Sequence, residues 1–515
     1  MAGKGKVYLV GAGPGDARLI TVKGLQCIEQ ADVVVYDRLA NPSLLKRMKP
    51  GADKIYVGKR PDRHTMKQDE INRLLADLAL QGKNVVRLKG GDPTIFGRVG
   101  EEAGLLRQHG ISFEIVPGVT SAIAVPAYAG IPVTHRELAS SLSIITGHES
   151  PDKLDHSIKW DKVTQATGTL IFMMGVAKIG YISRQLIEHG RPPETPVALI
   201  RWGTRAEQET LTGTLADIEE KVAQADFQPP AVIVVGEAVL QRGALSWAEE
   251  LPLFGRRVLV TRSRSQASQL VRRIEELGGE PYECPVIETV MPRDEETLRH
   301  NRQALAGLSG YDWLFFTSVN GVDFFFRHLI EAGADIRSLH KARIAAVGPA
   351  TREALKAKGI VAEDLPERFQ AEGLAELLGS EWKPGQKALL PRGNLARSWL
   401  PETLVEQGLE VTEMKVYETV LPEENDDELI TLLEEGGIHM ISFTSSSTVT
   451  NLIAMLRRMG LSDPAEVLNK SAIACIGPVT AQTAKAAGLR VAAVAEQATL
   501  DSLVDELCEI NHKSQ

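Results

Sequence analysis

Short apolar runs recur along the chain, and each is followed by a stretch whose apolar positions have helical spacing. VYLV (7–10) precedes TVKGLQCIEQA (21–31), DVVVYD (32–37) follows, and NVVRLKGGD (84–92) leads into EEAGLLRQHG (101–110). Strand-length runs alternating with amphipathic helices predict an α/β fold built on parallel sheets. The pattern stops and restarts at QRGALSWAEELPLFGRR (241–257), between the strand-like AVIVVGEAV (231–239) and a fresh RVLVTRS (257–263). We place a linker at 246–256, separating a unit at 1–245 from one at 257–515. The second unit opens with a predicted strand at 257–261, a helix at 265–277 stopped by Gly278 and Gly279, and a strand around 281–287.

The second unit contains a weak internal repeat. LFFTSVNGVDFFF (314–326) followed by IAAVGPATREALKAKGI (344–360) is echoed by ISFTSSSTVTNLI (441–453) followed by IACIGPVTAQTAKAAGL (473–489). In each copy a buried strand ends in Thr-Ser, whose hydroxyls can cap the next helix, and a second strand ends in Gly-Pro before another helix. Two similar lobes follow from this. Open α/β sheets bind ligands at the carboxyl ends of their strands, so a ligand between the lobes is expected.

Composition narrows the function classes. With 515 residues, 43% hydrophobic and 24% charged, the chain reads as a multi-domain globular protein. Its apolar runs are too short to span a bilayer, and the N-terminus lacks a signal-peptide core, so a cytoplasmic location without membrane association is expected. Cys27, Cys284, Cys475 and Cys508 have neither CxxC nor Cys/His spacing, which predicts no disulfide framework and no metal site. A net charge of −9 argues against general nucleic-acid binding but leaves room for a local basic cleft.

The turn GAGPGD (11–16) invites a dinucleotide reading, but that fingerprint needs glycine where Asp16 stands. The motifs around it are more specific. VYLVGAGPGD, VVYDRL, VGKR, VVRLKGGDPTIFGR, VPGVTSA, GIPVTHR, TGH, TLIFMMG and RWGT occur in this order between residues 7 and 204. Over roughly residues 5–245 the chain resembles the uroporphyrinogen-III C-methyltransferases, tetrapyrrole methylases that use S-adenosylmethionine (SAM). The resemblance implies a two-domain methylase fold with SAM in the cleft between the domains. It implies a SAM site lined by Pro14, Gly90, Gly91, Asp92, Ile95, Thr120, Ser121, Met174 and Gly203. It also makes Asp37 the proton acceptor and Lys59 the proton donor, although Asp37 could instead cap a helix and Lys59 could contact a substrate carboxylate. SAM carries no phosphate, so close backbone approach and apolar walls suit it better than a pyrophosphate cradle. Uroporphyrinogen III carries eight carboxylates. Arg38, Lys59, Arg60, Arg63, His64, Lys67, Arg87, Lys89, Arg98 and Arg136 cluster in these motifs, as such a polyanion requires, with Arg38 and Arg136 expected to contact it.

Residues 256–515 resemble the uroporphyrinogen-III synthases, which close hydroxymethylbilane with inversion of its last ring. VLVTRS, FFTSVNGV, AAVGPATREAL, LLPRGNLARSWLPETLVEQG, VYETV, SFTSSSTV and IGPVTAQTA stand in the expected order. The implied fold is two α/β lobes, one about 257–288 with 419–515 and the other about 289–418. Tyr417 resembles the family's tyrosine that assists departure of the hydroxyl, its alternative being a packed strand residue. Thr317, Ser318, Gly348, Arg392, Ser445, Ser446, Gly477 and Thr480 are the expected substrate contacts, with Arg392 the strongest because a guanidinium pairs bidentately with carboxylates.

The expected function is therefore bifunctional: hydroxymethylbilane to uroporphyrinogen III, then two SAM-dependent methylations at C2 and C7 to precorrin-2. NAD-dependent oxidation and iron insertion are expected to be absent, and the family suggests a homodimer through the methylase half. The competing readings are a methylase for another tetrapyrrole, a non-catalytic ligand-binding role for the bilobed half, and a nicotinamide oxidoreductase.

Overall fold

The computed structural model describes residues 4–58, 66–147, 158–262, 264–363, 371–422 and 427–514. In the first domain, β1 (Val7–Gly11), β2 (Val33–Tyr36), β3 (Asp53–Tyr56), β4 (Val85–Lys89) and β5 (Phe113–Val116) form an all-parallel sheet ordered β3-β2-β4-β1-β5. Helices cover both faces, so successive strand residues enter different cores. Val7, Leu9, Val33 and Val85 pack with Leu75 and Leu106, while Val10, Val34, Val86 and Leu88 pack with Ile28 and Leu44. Burial on both faces is why these strands read as unbroken apolar runs. The chain leaves β1 toward one side of the sheet and leaves β4 toward the other. This is the strand-order reversal at which α/β sheets open a crevice, and GAGPGD and KGGD both lie there.

The second sheet departs from the parallel expectation. It contains β6 (Leu142–Thr146), β7 (Thr169–Met173), β8 (Pro196–Arg201), β9 (Glu209–Thr214) and β10 (Ala231–Val235), ordered β6-β7-β10-β8-β9. Only β6 and β7 are parallel; β10 runs antiparallel to both β7 and β8, and β8 antiparallel to β9. The reason is connection length: residues 202–208 join β8 to β9 without the crossover that a parallel pair requires. The helix Ser121–Tyr128, which follows β5, packs Ala122 and Val125 against Ile171, Ala198 and Val232 of this sheet. One helix thereby joins the two domains.

The second half follows with β11 (Arg257–Val260) and β12 (Glu280–Glu283), then β13 (Glu288–Val290), β14 (Trp313–Phe316), β15 (Arg343–Ala346), β16 (Lys387–Gly393) and β17 (Glu410–Val420), then β18 (Met440–Phe443), β19 (Ala472–Cys475) and β20 (Val491–Val494). One sheet is parallel, ordered β12-β11-β18-β19-β20; the other is ordered β13-β17-β16-β14-β15, with only β13 antiparallel. Two lobes thus share one chain. The sequence repeat maps element for element: β14 and β18 lead into helices Val319–Glu331 and Ser446–Arg458, and β15 and β19 into Pro349–Ala357 and Pro478–Ala486. Ser318 and Ser445 are the N-caps, accepting from the Gly321 and Thr448 amides, and Pro349 and Pro478 open the other two helices.

Residues 246–256 are packed rather than loose. Trp247 Nε1 donates to the Ala127 carbonyl at 3.1 Å and its ring meets Tyr128 edge-on, while the fully buried Leu253 belongs to the core of the next lobe. None of the four cysteines is in a disulfide, and burial pushes the Cys475 thiol up to about 11. Among the described residues no helix is long and apolar enough to cross a membrane.

Candidate active sites

Three glycines let the motifs of the first half converge. A Cβ on Gly118 would lie 2.3 Å from the Gly91 carbonyl and 2.8 Å from Gly11 Cα, so the ends of β1, β4 and β5 touch backbone to backbone. Ala12 N donates to the Lys89 carbonyl (2.7 Å), and Gly13 and Gly91 exchange a pair of backbone bonds at 3.2 and 2.6 Å. The Gly13 amide of the opening turn is thus committed to protein and not held for a pyrophosphate. Asp92 accepts from the Gly118 amide (2.9 Å) and the Thr94 amide (2.7 Å), stapling this turn. Gly91 lies against Thr120 and Ser121, and Thr120 caps the helix that follows.

The β8–β9 connection packs against the opening turn and against the helix that follows β5. A Cβ on Gly203 would collide with Val125 at 2.4 Å. Thr204 Oγ1 accepts from the Asp16 amide (2.8 Å), and Gly15 faces Gly203, Thr204 and the stem of Arg205. Trp202 and Thr204 both have positive φ, 45° and 70°, as do Phe96, Arg98 and Met174. Such non-glycine residues cost on the order of 1–3 kcal/mol each and persist only where surrounding contacts over-determine them. Met174, at the end of β7, is 54% exposed. The opening turn therefore places Pro14 between Gly91, which lies against Thr120 and Ser121, and Gly203, which Gly15 faces, while Gly90 backs onto Leu39. At these glycines protein approaches protein closely, and SAM, whose adenosyl and methionyl parts need backbone proximity more than charge, would be held where these segments converge.

Asp37 follows β2. Its Oδ2 accepts from Arg87 Nη2 at 2.9 Å and its Oδ1 from the Leu39 amide at 3.1 Å, leaving the carboxylate partly exposed but fixed in direction. Arg87 and Lys89, expected to meet a polyanion, are instead buried. They point inward from a strand covered on both faces and share Glu102, itself fully buried, with Lys89 Nζ at 2.7 Å and Arg87 Nε at 3.5 Å. Burial and the neighbouring Arg87 hold Lys89 below the usual lysine range despite Glu102. Arg98 pairs with Glu101 at the surface, and Arg136 is exposed. Arg38 is exposed beside Asp37 and lies over the Trp202 ring, 5.4 Å from its centroid. Lys59, Arg60, Arg63 and His64 lie outside the described residues. The last described residue before Lys59 is Gly58, which packs against the Arg38 backbone.

In the bilobed half, Tyr417 of β17 stacks at a tilt on Phe324, its hydroxyl 3.4 Å from Ser318 Oγ. The strand β16 reaches it through Gly393, where a Cβ would lie 2.4 Å from the Tyr417 ring. Tyr417, Thr317 and Ser318 thus gather at one end of the second lobe. Arg392 is buried and already engaged: Nη1 meets Glu413 at 2.5 Å and Nη2 the Arg397 carbonyl at 2.6 Å. In the first lobe Ser445 sits at the end of β18, while Thr480 is buried in the helix after Gly477. Thr483, which the sequence reading passed over, bonds Ser446 at 2.9 Å and ties the two helix starts together.

Comparison with known proteins matches each half to a different family. The family model for tetrapyrrole (corrin/porphyrin) methylases matches residues 6–219, and that for uroporphyrinogen-III synthase HemD matches residues 268–505. A porphyrin biosynthesis protein HemD from Ruminiclostridium josui is 39% identical over 98% of both chains. A uroporphyrinogen-III C-methyltransferase from Priestia megaterium is 56% identical over 46% of this chain and 98% of its own. An S-adenosyl-L-methionine-dependent uroporphyrinogen III methyltransferase from Methanosarcina barkeri is 52% identical over 46% of this chain and 92% of its own. Full-length similarity to one relative, together with near-complete coverage of stand-alone methyltransferases, leaves both halves accounted for: the chain belongs to the tetrapyrrole methylase family through its N-terminal half and to the uroporphyrinogen-III synthase family through its C-terminal half.

Proposed function

We propose that this chain makes uroporphyrinogen III from hydroxymethylbilane in its second half and methylates it at C2 and C7 in its first half, giving precorrin-2. The observation that carries the reading is the pairing, on one chain, of glycine-tight strand ends beside a fixed carboxylate with a two-lobed unit in which the Ser318-capped strand end lies against Tyr417. The product of the second half is the substrate of the first, so the fusion joins successive steps. The chain divides functionally at residues 246–256; it acts in the cytoplasm and dimerises through the methylase half.

In the methylase half, Pro14, Gly90, Gly91, Asp92, Ile95, Thr120, Ser121, Met174 and Gly203 hold SAM, which supplies the activated methyl group. Methyl transfer to carbon needs in-line approach, so the protein's main contribution is orientation. Asp37, oriented by Arg87, takes the proton that the methylated carbon sheds; Lys59 is the proton donor. Arg38 and Arg136 pair with substrate carboxylates. In the synthase half, Tyr417 hydrogen-bonds the departing hydroxyl, and Thr317, Ser318 and Ser445 hold the acetate and propionate groups in the folded-back conformation that ring inversion demands; Arg392, committed to Glu413 and the Arg397 carbonyl, braces the strand end beside them.

Purified protein should be given hydroxymethylbilane with and without SAM, following isomer composition and precorrin-2 absorbance. Isomer III without SAM and precorrin-2 with it are expected. Isomer I alone, with no methylated product on adding SAM, would overturn the reading.

A further inference from the structure

The two halves meet at a cluster of charges that neither family resemblance assigns. Glu280, the first residue of β12 in the synthase half, accepts from three groups. Arg205 Nη2 lies at 3.0 Å from Oε1, the Ala206 amide at 2.8 Å from Oε2, and Arg257 Nη2 at 3.2 Å from both oxygens. Arg257 is 1% exposed; its Nη2 also meets Glu207 at 2.7 Å and its Nη1 the Gly437 carbonyl at 3.0 Å. Two residues of the methylase connection are thus gripped by one carboxylate of the synthase.

That connection also carries Gly203, one of the residues proposed above to hold SAM. Arg205 packs its stem on Gly15, next to Pro14, and its guanidinium lies 6.0 Å from the centroid of Trp202, whose ring also carries Arg38. Gly203 stands between Trp202 and Thr204, the two residues with positive φ. A backbone in that conformation needs outside contacts to hold it, and Glu280 supplies two. Near the opening turn a second contact supports the first: Arg18, paired with Asp16, approaches Glu275 at 3.9 Å.

We propose that Glu280 is a positioning residue of the methylase site, so that SAM affinity depends on a carboxylate contributed by the synthase half. This deepens the methylase reading given above and rests on it. Glu280 sits at the amino end of β12, whereas Ser445 and Gly477 follow the carboxyl ends of β18 and β19 in the same parallel sheet. Synthase turnover therefore does not require it.

The test compares full-length wild type, Glu280→Gln and Glu280→Asp. S-adenosylhomocysteine affinity is measured by calorimetry, KM for SAM and kcat by methyl transfer, isomer III formation from hydroxymethylbilane, and amide exchange across residues 202–208. Glu280→Gln is expected to weaken S-adenosylhomocysteine binding and raise KM by about tenfold, the equivalent of roughly 1.4 kcal/mol. It should change kcat less than about twofold, quicken exchange in 202–208 and leave isomer III formation intact, with Glu280→Asp partly restoring affinity. Unchanged affinity and exchange in Glu280→Gln, or parallel loss of both activities, would overturn the proposal. A wild-type chain that binds no S-adenosylhomocysteine would overturn the methylase reading itself, an outcome the exchange measurement distinguishes from failure of the clamp.

Discussion

Asp37 has one oxygen on Arg87 and the other on the Leu39 amide, so its direction is set before any substrate arrives. Replacing it with Asn keeps the size and removes the basic group. We expect Asp37→Asn to lower methyl transfer by about 10²–10⁴, the usual worth of a positioned acid or base, while isomer III formation is unaffected; separate assays of the two reactions check this. Tyr417 is a parallel case in the other half. Its ring packs on Phe324 and its hydroxyl has Ser318 beside it at 3.4 Å, so Tyr417→Phe preserves the packing and removes only the donor. Ring closure is expected to slow by about a hundredfold, read as hydroxymethylbilane consumption, with an unchanged melting temperature. At this scale the sequence was uneven. Asp37 and Tyr417 could be named from motifs, but the buried Glu102 between Arg87 and Lys89 could not, because its neighbour Glu101 looks the same in sequence and faces solvent with Arg98.

At the scale of elements, local codes were readable. Thr-Ser at the ends of β14 and β18 predicted helix caps, and Ser318 and Ser445 are those caps, since a cap needs only a hydroxyl three residues before the amide it satisfies. Strand direction in the second methylase sheet was not readable, because antiparallel pairing of β7, β10 and β8 depends on which strands become neighbours. The glycines at the ends of β1, β4 and β5 act between elements in the same way. Gly118→Ala would force a Cβ to 2.3 Å from the Gly91 carbonyl, a contact that must push the strand ends apart. We expect a loss of about 1–3 kcal/mol in the methylase half, typical of overpacking, with S-adenosylhomocysteine affinity lost as well. Denaturant unfolding and calorimetry on the same variant measure both.

For the whole molecule, the junction between the halves sets an acid limit. Burial alone would raise the Glu280 carboxyl, but Arg205, Arg257 and the Ala206 amide bring it down to about 2, from 4.5 when unfolded. The unfolded chain therefore binds more protons in this window. The stabilisation is complete above pH 4.5 and is lost as pH falls toward 2, amounting to on the order of 3 kcal/mol. His439, whose Nδ1 accepts from the Arg257 amide, is held below its ordinary 6.5 by burial and by Arg257, so it adds acid sensitivity in the same direction. Stability measured between pH 7 and pH 3 should fall with acid in wild type and fall less steeply below pH 4.5 in Glu280→Gln.

The sequence by itself determined the apolar runs, the helix starts, the repeat within the second half and the motif order that names both families. Each of these is written in residues close together along the chain, where caps, turns and burial periodicity operate. Only the tertiary structure decided that the Gly13 amide closes on Gly91, that Arg87 and Lys89 turn inward to Glu102, and that Glu280 grips Arg205 from the other half. Those outcomes depend on groups brought together from distant segments, Arg205 and Glu280 being 75 residues apart. Charge pairing of that kind is fixed by the packing of the sheets, because a buried charge must take whichever partner the fold places within reach.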